Sequence, residues 1–288
     1  MGGITVYVLN GLYMLAVDLL YHYRAVSQKP LTVLDVETTG SLALKGRITE
    51  ISVLQATLAD GILHQQTALV NPQTEIPANI VQITGITQDM VDGAAIAATV
   101  LPGYLPLLSN GVLTAHNLDF DYSFLKAEYA RLGVTFSRPE NEQLCTVQLA
   151  RLMLPELRSR RLPDLVQHFQ FQVTTSHRAE ADAIACWLLA KHLLIEINNE
   201  ADEALLARFT QQWIPLKDAA KLLGCRSKQA RVLLDAAGVY SSEVGNGNYT
   251  SLRYRRGDVE RVYYKRQEEQ QAKQLDERTT EGNQLSCL

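Results

Sequence analysis

The period of apolar and polar positions changes along the chain, and each change marks an element. Leu31-Thr32-Val33-Leu34-Asp35-Val36-Glu37 is a short aliphatic and β-branched run that stops at Thr38-Thr39-Gly40. Such a run, bounded by a turn signal, predicts a buried strand. Residues 47–58, with β-branched Ile48, Thr49, Ile51 and Val53, predict a second strand. After the polar turn Ala59-Asp60-Gly61 a third strand runs to Val70. Their close spacing predicts an antiparallel meander, and Asn71-Pro72 breaks it. Helix and strand then alternate. Helices are predicted over residues 87–98, 121–132, 145–152, 162–169 and 180–197, with a short buried strand at 111–115. Phe124, Leu125, Tyr129 and Leu132 share one helical stripe, and Gly133 supplies the stop. The implied fold class is α/β, a mixed sheet flanked by helices.

The flanks read differently. Ile4 to Leu20 is apolar but interrupted by Asn10 and Asp18, without a basic leader or a small-residue cleavage site. It is expected to be a helix packed on the body, not a membrane span. That helical segment ends at Ser27-Gln28-Lys29-Pro30, because proline disfavours helical angles in the residue before it. Past Asn198 the chain turns polar. The expected organisation is a helical segment (1–30), an α/β body (31–198), a helical connector (199–213), a small module (214–265) and a polar tail (266–288) too poor in apolar residues to order itself.

Charge sharpens this division. The whole chain of 288 residues carries a net −4, which excludes a basic coat protein. Residues 214–265 alone carry +5 and residues 1–213 carry −7. Apolar residues at 47% are enough for a sizeable core. Cys145, Cys186, Cys225 and Cys287 form no paired or zinc-ligand spacing and read as isolated thiols of a reducing, cytoplasmic compartment.

The candidate chemistry is carboxylate chemistry. Asp35 and Glu37 alternate with Leu34 and Val36, so both point to one face of a strand. Side by side and desolvated they repel, and a hard divalent cation such as magnesium or manganese would offset that. The alternative is a strand end whose acids face water. Ala115-His116-Asn117-Leu118-Asp119-Phe120-Asp121 stands where a strand turns into a helix. There Asp121 sits beside the anchors Phe124 and Leu125 and is favoured over Asp119, with helix capping as its plainer role. In His177-Arg178-Ala179-Glu180-Ala181-Asp182 the histidine precedes a helix and Asp182 falls within its first turns. A surface histidine and a helix-dipole acid are the plainer readings of that pair.

Leu34-Asp35-Val36-Glu37-Thr38-Thr39-Gly40, His116-Asn117-x-x-Phe120-Asp121 and His177-Arg178-Ala179-x-x-Asp182 together resemble the three motifs of the DEDDh (DnaQ-like) exonuclease superfamily. This is the family of the proofreading subunit of bacterial DNA polymerase III. Arg47-Ile48-Thr49-Glu50-Ile51 and the stretch from Asn71-Pro72 to Ile83-Thr84-Gly85-Ile86-Thr87 extend the similarity to about residues 31–196. Thr84, where relatives often carry His, and Glu180, where many carry Leu, depart from the pattern without touching the ligand positions.

The resemblance implies a ribonuclease H-like fold and a two-metal 3′→5′ exonuclease that releases nucleoside 5′-monophosphates. Asp35, Glu37, Asp121 and Asp182 would hold two divalent cations, magnesium or manganese, and His177 would act as general base. Thr38, Thr39 and Gly40 would lie near the terminal nucleotide, with His116 and Asn117 shaping the pocket or holding structural hydrogen bonds. Single-stranded or frayed 3′ ends of DNA are the expected substrate, in proofreading or repair, with a polymerase or other replication or repair protein as a partner. RNA is the alternative substrate, and a non-catalytic nucleic-acid-binding regulator the alternative class.

In the basic module, residues 214–225 read as a helix ending at Gly224, and Ser227 is placed to cap a second helix that Gly238 ends. Two short strands and a last helix from Asp258 follow. The order resembles winged-helix modules of the excisionase and MerR type. Arg226, Lys228, Arg231, Arg253, Arg255 and Arg256 are the candidates for phosphate contact. A docking module for a protein partner is the alternative.

Overall fold

β1 (Leu31–Thr38) is the centre of a five-stranded mixed sheet. The computed structural model describes residues 14–173, 178–245 and 250–285. β1 pairs antiparallel with β2 (Ile48–Thr57), which pairs antiparallel with β3 (Gly61–Leu69), as the meander pattern predicts. On its other edge β1 pairs in parallel with β4 (Val112–Ala115), and β4 with β5 (Gln143–Cys145). The order is β3-β2-β1-β4-β5. A central strand is covered on both faces, which is why β1 reads as a nearly continuous apolar run. Entry into β4 needs a glycine. Gly111 has φ +62°, and a Cβ there would lie 2.6 Å from the Pro30 carbonyl oxygen.

Described residues divide into two compact units, one within residues 20–202 and one of residues 14–19 with those within 203–285. In the first, α4 (Ala97–Leu108) and α5 (Leu118–Arg131) share a core with Leu34 and Val36 of β1. α8 (Ala179–Asn199) packs on β1 and β2, presenting buried Ala179, Ala183 and Ala190, whose small side chains permit close approach. Asp35 and Glu37 alternate with Leu34 and Val36 and so belong to the opposite face of β1. α1 (Ala16–Ser27) stops where Pro30 predicts, and the apolar segment N-terminal to residue 14 lies outside the described residues. No helix among the described residues is long and apolar enough to cross a membrane.

Around residues 87–108 the elements differ from the sequence-based expectation. The helix expected over residues 87–98 is cut short as α3 (Gln88–Asp92), because the Ala95 carbonyl accepts the Asn71 N–H at 2.9 Å and Ile96 bridges to Asn71. The chain re-enters helix as α4, whose Pro102 and Pro106 disguise it as loop in the sequence. α2 (Ala78–Thr84), α6 (Thr146–Met153) and α7 (Leu162–Phe169) complete this unit.

The second unit takes in α9 (Asp202–Thr210) from Glu203 onward. It contains β6 (Trp213–Pro215), α10 (Leu216–Leu222), α11 (Ser227–Ala236), β7 (Ser241–Val244), β8 (Ser251–Arg255) and α12 (Arg256–Leu285). Its antiparallel sheet has the order β6-β8-β7. Ile214, Leu234, Tyr254 and Val259 lie in its core. Ser227 is the first helical residue of α11 and not its cap. Arg226 holds the cap position, its N–H donating to Gln229 Oε1 at 3.3 Å. α12 runs on to Leu285, where a tail without order was expected. Val259 and Val262 anchor its first turns in the core, and a Gln-, Glu-, Lys- and Ala-rich sequence propagates helix once nucleated.

Candidate active site

Three carboxylates from two elements meet on the α8 side of β1. One oxygen each from Asp35, Glu37 and Asp182 lies within 4.8 Å of the others. Asp35 and Glu37 share a face because the strand period is two. Asp182 stands in the first turns of α8, its N–H already bonded to the Arg178 carbonyl at 3.0 Å, so the helix holds it rigidly.

Asp121 stands beside this triple. The parallel pairing of β1 with β4 ends at Val33 and Thr114, which leaves the Val36 N–H without a strand partner on that edge. Asp121, only 3% exposed, fills the gap, with Oδ1 accepting that N–H at 3.1 Å. Asp119 of the same loop is exposed, so of the two candidates only Asp121 turns inward.

The electrostatics record the crowding. Asp35 is pushed well above the ordinary carboxylate range, first by burial and then by Asp121, Asp182, Glu37 and Glu50. Glu37 rises to about 7 through burial, Asp182 and Glu50, against a lowering pull from Arg178. Asp121 rises to about 8, chiefly through burial, while the Val36 N–H restrains it. Two like charges 4 Å apart repel by about 4 kcal/mol at an effective dielectric of 20. An all-oxygen set of this density fits a hard divalent cation, whose charge would let every member ionise at neutral pH.

One functional side chain was not singled out in the sequence. Glu50 of β2 lies opposite Glu37 and is 2% exposed. It accepts Arg178 Nη2 at 2.5 Å, Arg178 Nε at 3.1 Å and the Ala179 N–H at 2.9 Å. A strand acid thus caps the start of α8 and fixes the residue that follows His177. An acid at an inward position among Ile48, Ile51 and Val53 was the available signal. His177 itself lies outside the described residues.

The other site candidates have structural partners. Thr38 Oγ1 donates to the Gly40 carbonyl at 2.7 Å, and Thr39 Oγ1 accepts the Arg47 N–H at 3.0 Å, so both hydroxyls brace the turn after β1. Gly40 borders open space. His116 is engaged at both ring nitrogens, Nδ1 with Thr146 Oγ1 and Nε2 with the Arg160 carbonyl, each at 2.9 Å. Burial lowers its pKa to about 4, so it is a neutral brace and its side chain has no ring nitrogen left for a substrate. Asn117, exposed and at φ +76°, makes the turn into α5.

In the second unit Arg226, Lys228 and Arg231 are exposed along α11. Arg253 and Arg255 lie on the outer face of β8. Arg256 does not reach the surface. It is fully buried, donates to Gln212 Oε1 at 2.8 Å and to the Met14 carbonyl at 2.5 Å, and pairs with Glu260. Its assignment to phosphate contact is therefore corrected. Arg253, Tyr254 and Arg255 alternate outward, inward, outward, and Arg256 begins α12 facing the core.

The exonuclease family model, RNase_T, matches residues 32–189, over half of the chain. A DNA polymerase III PolC-type from Oceanobacillus iheyensis is 33% identical over 62% of this chain and 13% of its own length. The 3′-5′ exonuclease DinG from Bacillus subtilis is 32% identical over 66% of this chain and 20% of its own. The chain thus spans a fifth or less of these two relatives. Among solved structures, E. coli Exonuclease I in complex with a dT13 oligonucleotide superposes with a TM-score of 0.52 at 18% identity, over 57% of this chain and 40% of that one. That likeness concerns the fold, the ribonuclease H-like sheet on which β1 carries the acids. With the motifs of β1, α5 and α8 on one sheet, and the family match spanning all three, the chain belongs to the DnaQ-like DEDD exonuclease family.

Proposed function

We propose that the protein is a metal-dependent 3′→5′ exonuclease acting on single-stranded or frayed 3′ ends of DNA. The observation that carries this is the convergence of Asp35, Glu37 and Asp182 within 4.8 Å, with Asp121 beside them. These four acids are the residues that would hold two divalent cations, magnesium or manganese. When bound, such a pair lowers the pKa of water and offsets charge building on the phosphate oxygens.

The chain's own residues supply the rest. His177 takes a proton from the attacking water, whose oxygen then bonds to the terminal phosphorus. The bond to the 3′ oxygen of the penultimate nucleotide breaks, that oxygen gains a proton, and a nucleoside 5′-monophosphate leaves. Arg178, fastened to buried Glu50, holds the segment next to His177 against β2. The turn after β1, braced by the Thr38 and Thr39 hydroxyls, would present Gly40 and its backbone to the terminal nucleotide. The basic second unit would retain the nucleic acid, and the free thiols of Cys145, Cys186 and Cys225 suit the reducing cytoplasm. The polymerase names among the relatives support a replication or repair setting with a polymerase as partner.

The test is a time course on end-labelled single-stranded DNA and RNA, with magnesium, manganese or EDTA. Stepwise shortening of DNA that EDTA and Asp35→Ala both abolish is the expected result. Binding without shortening under every metal condition would leave a non-catalytic nucleic-acid binder instead. Equal or faster shortening of RNA would move the substrate assignment.

A further inference from the structure

The outer face of the second unit's sheet has a composition that its fold does not require. Ile214 and Tyr254 point inward and are 1% and 0% exposed. Their neighbours therefore point outward. Trp213 of β6 lies opposite Arg255 of β8, and Arg253 lies opposite Ser242 of β7. The guanidinium carbons of Arg255 and Arg253 stand 4.2 and 4.9 Å from the centre of the Trp213 ring. Arg253 Nε donates to Ser242 Oγ at 3.2 Å, and Arg255 also donates to the Gln211 carbonyl, which keeps both planes in place. Tyr240, just before β7, meets the Trp213 ring edge-on at 6.3 Å and is 71% exposed. Two rings and two guanidinium planes thus lie together on the outer sheet face, Trp213, Arg253 and Arg255 half-buried and Tyr240 exposed.

We infer that this face is a stacking platform for the unpaired bases of a single DNA strand. The inference rests on the nuclease reading above and deepens it, because it names the surface and the form of nucleic acid held there. Charge complementarity selects a polyanion, since residues 214–265 carry a net +5. The flat groups select the strand form. A base offers its π face to an aromatic ring or a guanidinium only when unpaired and unstacked, whereas a duplex hides those faces. The exposed cations of α11 lack this feature. Arg231 there faces Asp235 at 3.6 Å, and its large apolar neighbour is aliphatic Val232.

Trp213 supplies its own reporter. The chain has two tryptophans, and Trp187 is 2% exposed in the first unit, so a base stacking on this face quenches Trp213. The experiment titrates the full chain, in EDTA, with an oligothymidylate of about 16 nucleotides and with a duplex of equal length, by anisotropy and tryptophan fluorescence. The single strand is expected to bind more tightly than the duplex and to quench. Tyr240→Ala, at an exposed position that folding does not need, should weaken it roughly tenfold. Trp213→Phe should retain most of the affinity while removing the signal, and Arg231→Ala should change it less than about twofold. Unchanged affinity in Tyr240→Ala overturns the inference. So does tighter duplex binding that Lys228→Ala or Arg231→Ala weakens, or no nucleic-acid binding assignable to this unit. With chelator present, the binding result is independent of hydrolysis. Failure of the exonuclease reading would appear separately, as no shortening once metal is supplied.

Discussion

The first unit buries carboxylates in two ways. Glu128 of α5 is 1% exposed, and its oxygens meet Arg47 Nε at 2.7 Å, Arg47 Nη2 at 3.2 Å, Arg131 Nη1 at 3.2 Å and the Ile48 N–H at 3.3 Å. Arg131 reaches on to the carbonyls of Ala43, Leu44 and Gly46. That acid is compensated from within the chain, and the compensation fastens the loop after β1 to α5. Asp35, Glu37 and Asp121 have raised pKa values instead, first through burial and then through neighbouring acids, with Asp182 acting on all three. A fold gains nothing from such repulsion. The contrast separates an acid that holds structure from a set arranged for charge brought from outside.

The largest expected effect breaks one side of this contrast. Asp35→Asn should lower kcat for 3′ end release by about a thousandfold or more, as loss of a metal-binding acid removes several kcal/mol of transition-state stabilisation. The same substitution should raise the melting temperature in EDTA, because it removes a repelling charge. The pH dependence follows the same logic. The folded pKa values of Asp35, Glu37 and Asp121 lie above their unfolded values near 4. Stability from these groups is full below pH about 4 and is lost as pH rises through their raised values, about 7 for Glu37 and about 8 for Asp121, with Asp35 shifted in the same direction. Melting curves in EDTA should therefore fall from pH 5 to pH 8, and the rise in melting temperature on adding magnesium should grow over that interval. A flat profile would mean the acids are not crowded in solution.

Next in size is the opposite manipulation. Glu128→Gln leaves Arg47 and Arg131 without their acid but touches no member of the cluster. A loss of about 2–3 kcal/mol in urea unfolding is expected, less than for a fully buried pair because both arginines are partly exposed. EDTA should not change that loss.

How far these sites were legible depends on the range of the interactions. β1 and its acids were readable because strand alternation and the Thr38-Thr39-Gly40 stop are local. So was α7, whose apolar spacing needs no distant partner. Glu50 was not, since its meaning comes from standing opposite Glu37 and beneath Arg178, 128 residues away. Arg256 looked like its neighbours Arg253 and Arg255 because a run of charges does not say where a strand ends and a helix turns inward. α4 was missed because prolines read as breaks, although Pro102 and Pro106 lie on its exposed side while Leu101, Tyr104 and Leu108 hold it to the core.

Glu50 gives an intermediate case, an acid compensated by Arg178 yet close enough to raise Asp35 and Glu37. Arg178→Ala should lower kcat about 10–100-fold, the range for residues that orient a metal site from behind. The loss should fall on kcat more than on KM, with partial recovery in Arg178→Lys, which keeps the charge but not the two-pronged contact. Loss on KM alone would make Arg178 a substrate contact and not a positioning residue.

The smallest effect belongs to an ion pair where water already does the compensating. Arg231 and Asp235 of α11 stand 3.6 Å apart with side chains 61% and 57% exposed. Solvent and salt screen both charges, so nothing in the fold depends on their meeting. Asp235→Ala is expected to change unfolding stability by less than about 0.5 kcal/mol, with the difference vanishing in high salt. Measured beside Glu128→Gln, it sets the scale of the comparison. The same chemical pair is nearly silent in water and costly when its acid is buried, and the ratio of the two losses reads out how much of Glu128's role comes from burial itself. Equal losses would mean that α11 is far more enclosed in solution than its exposure here implies.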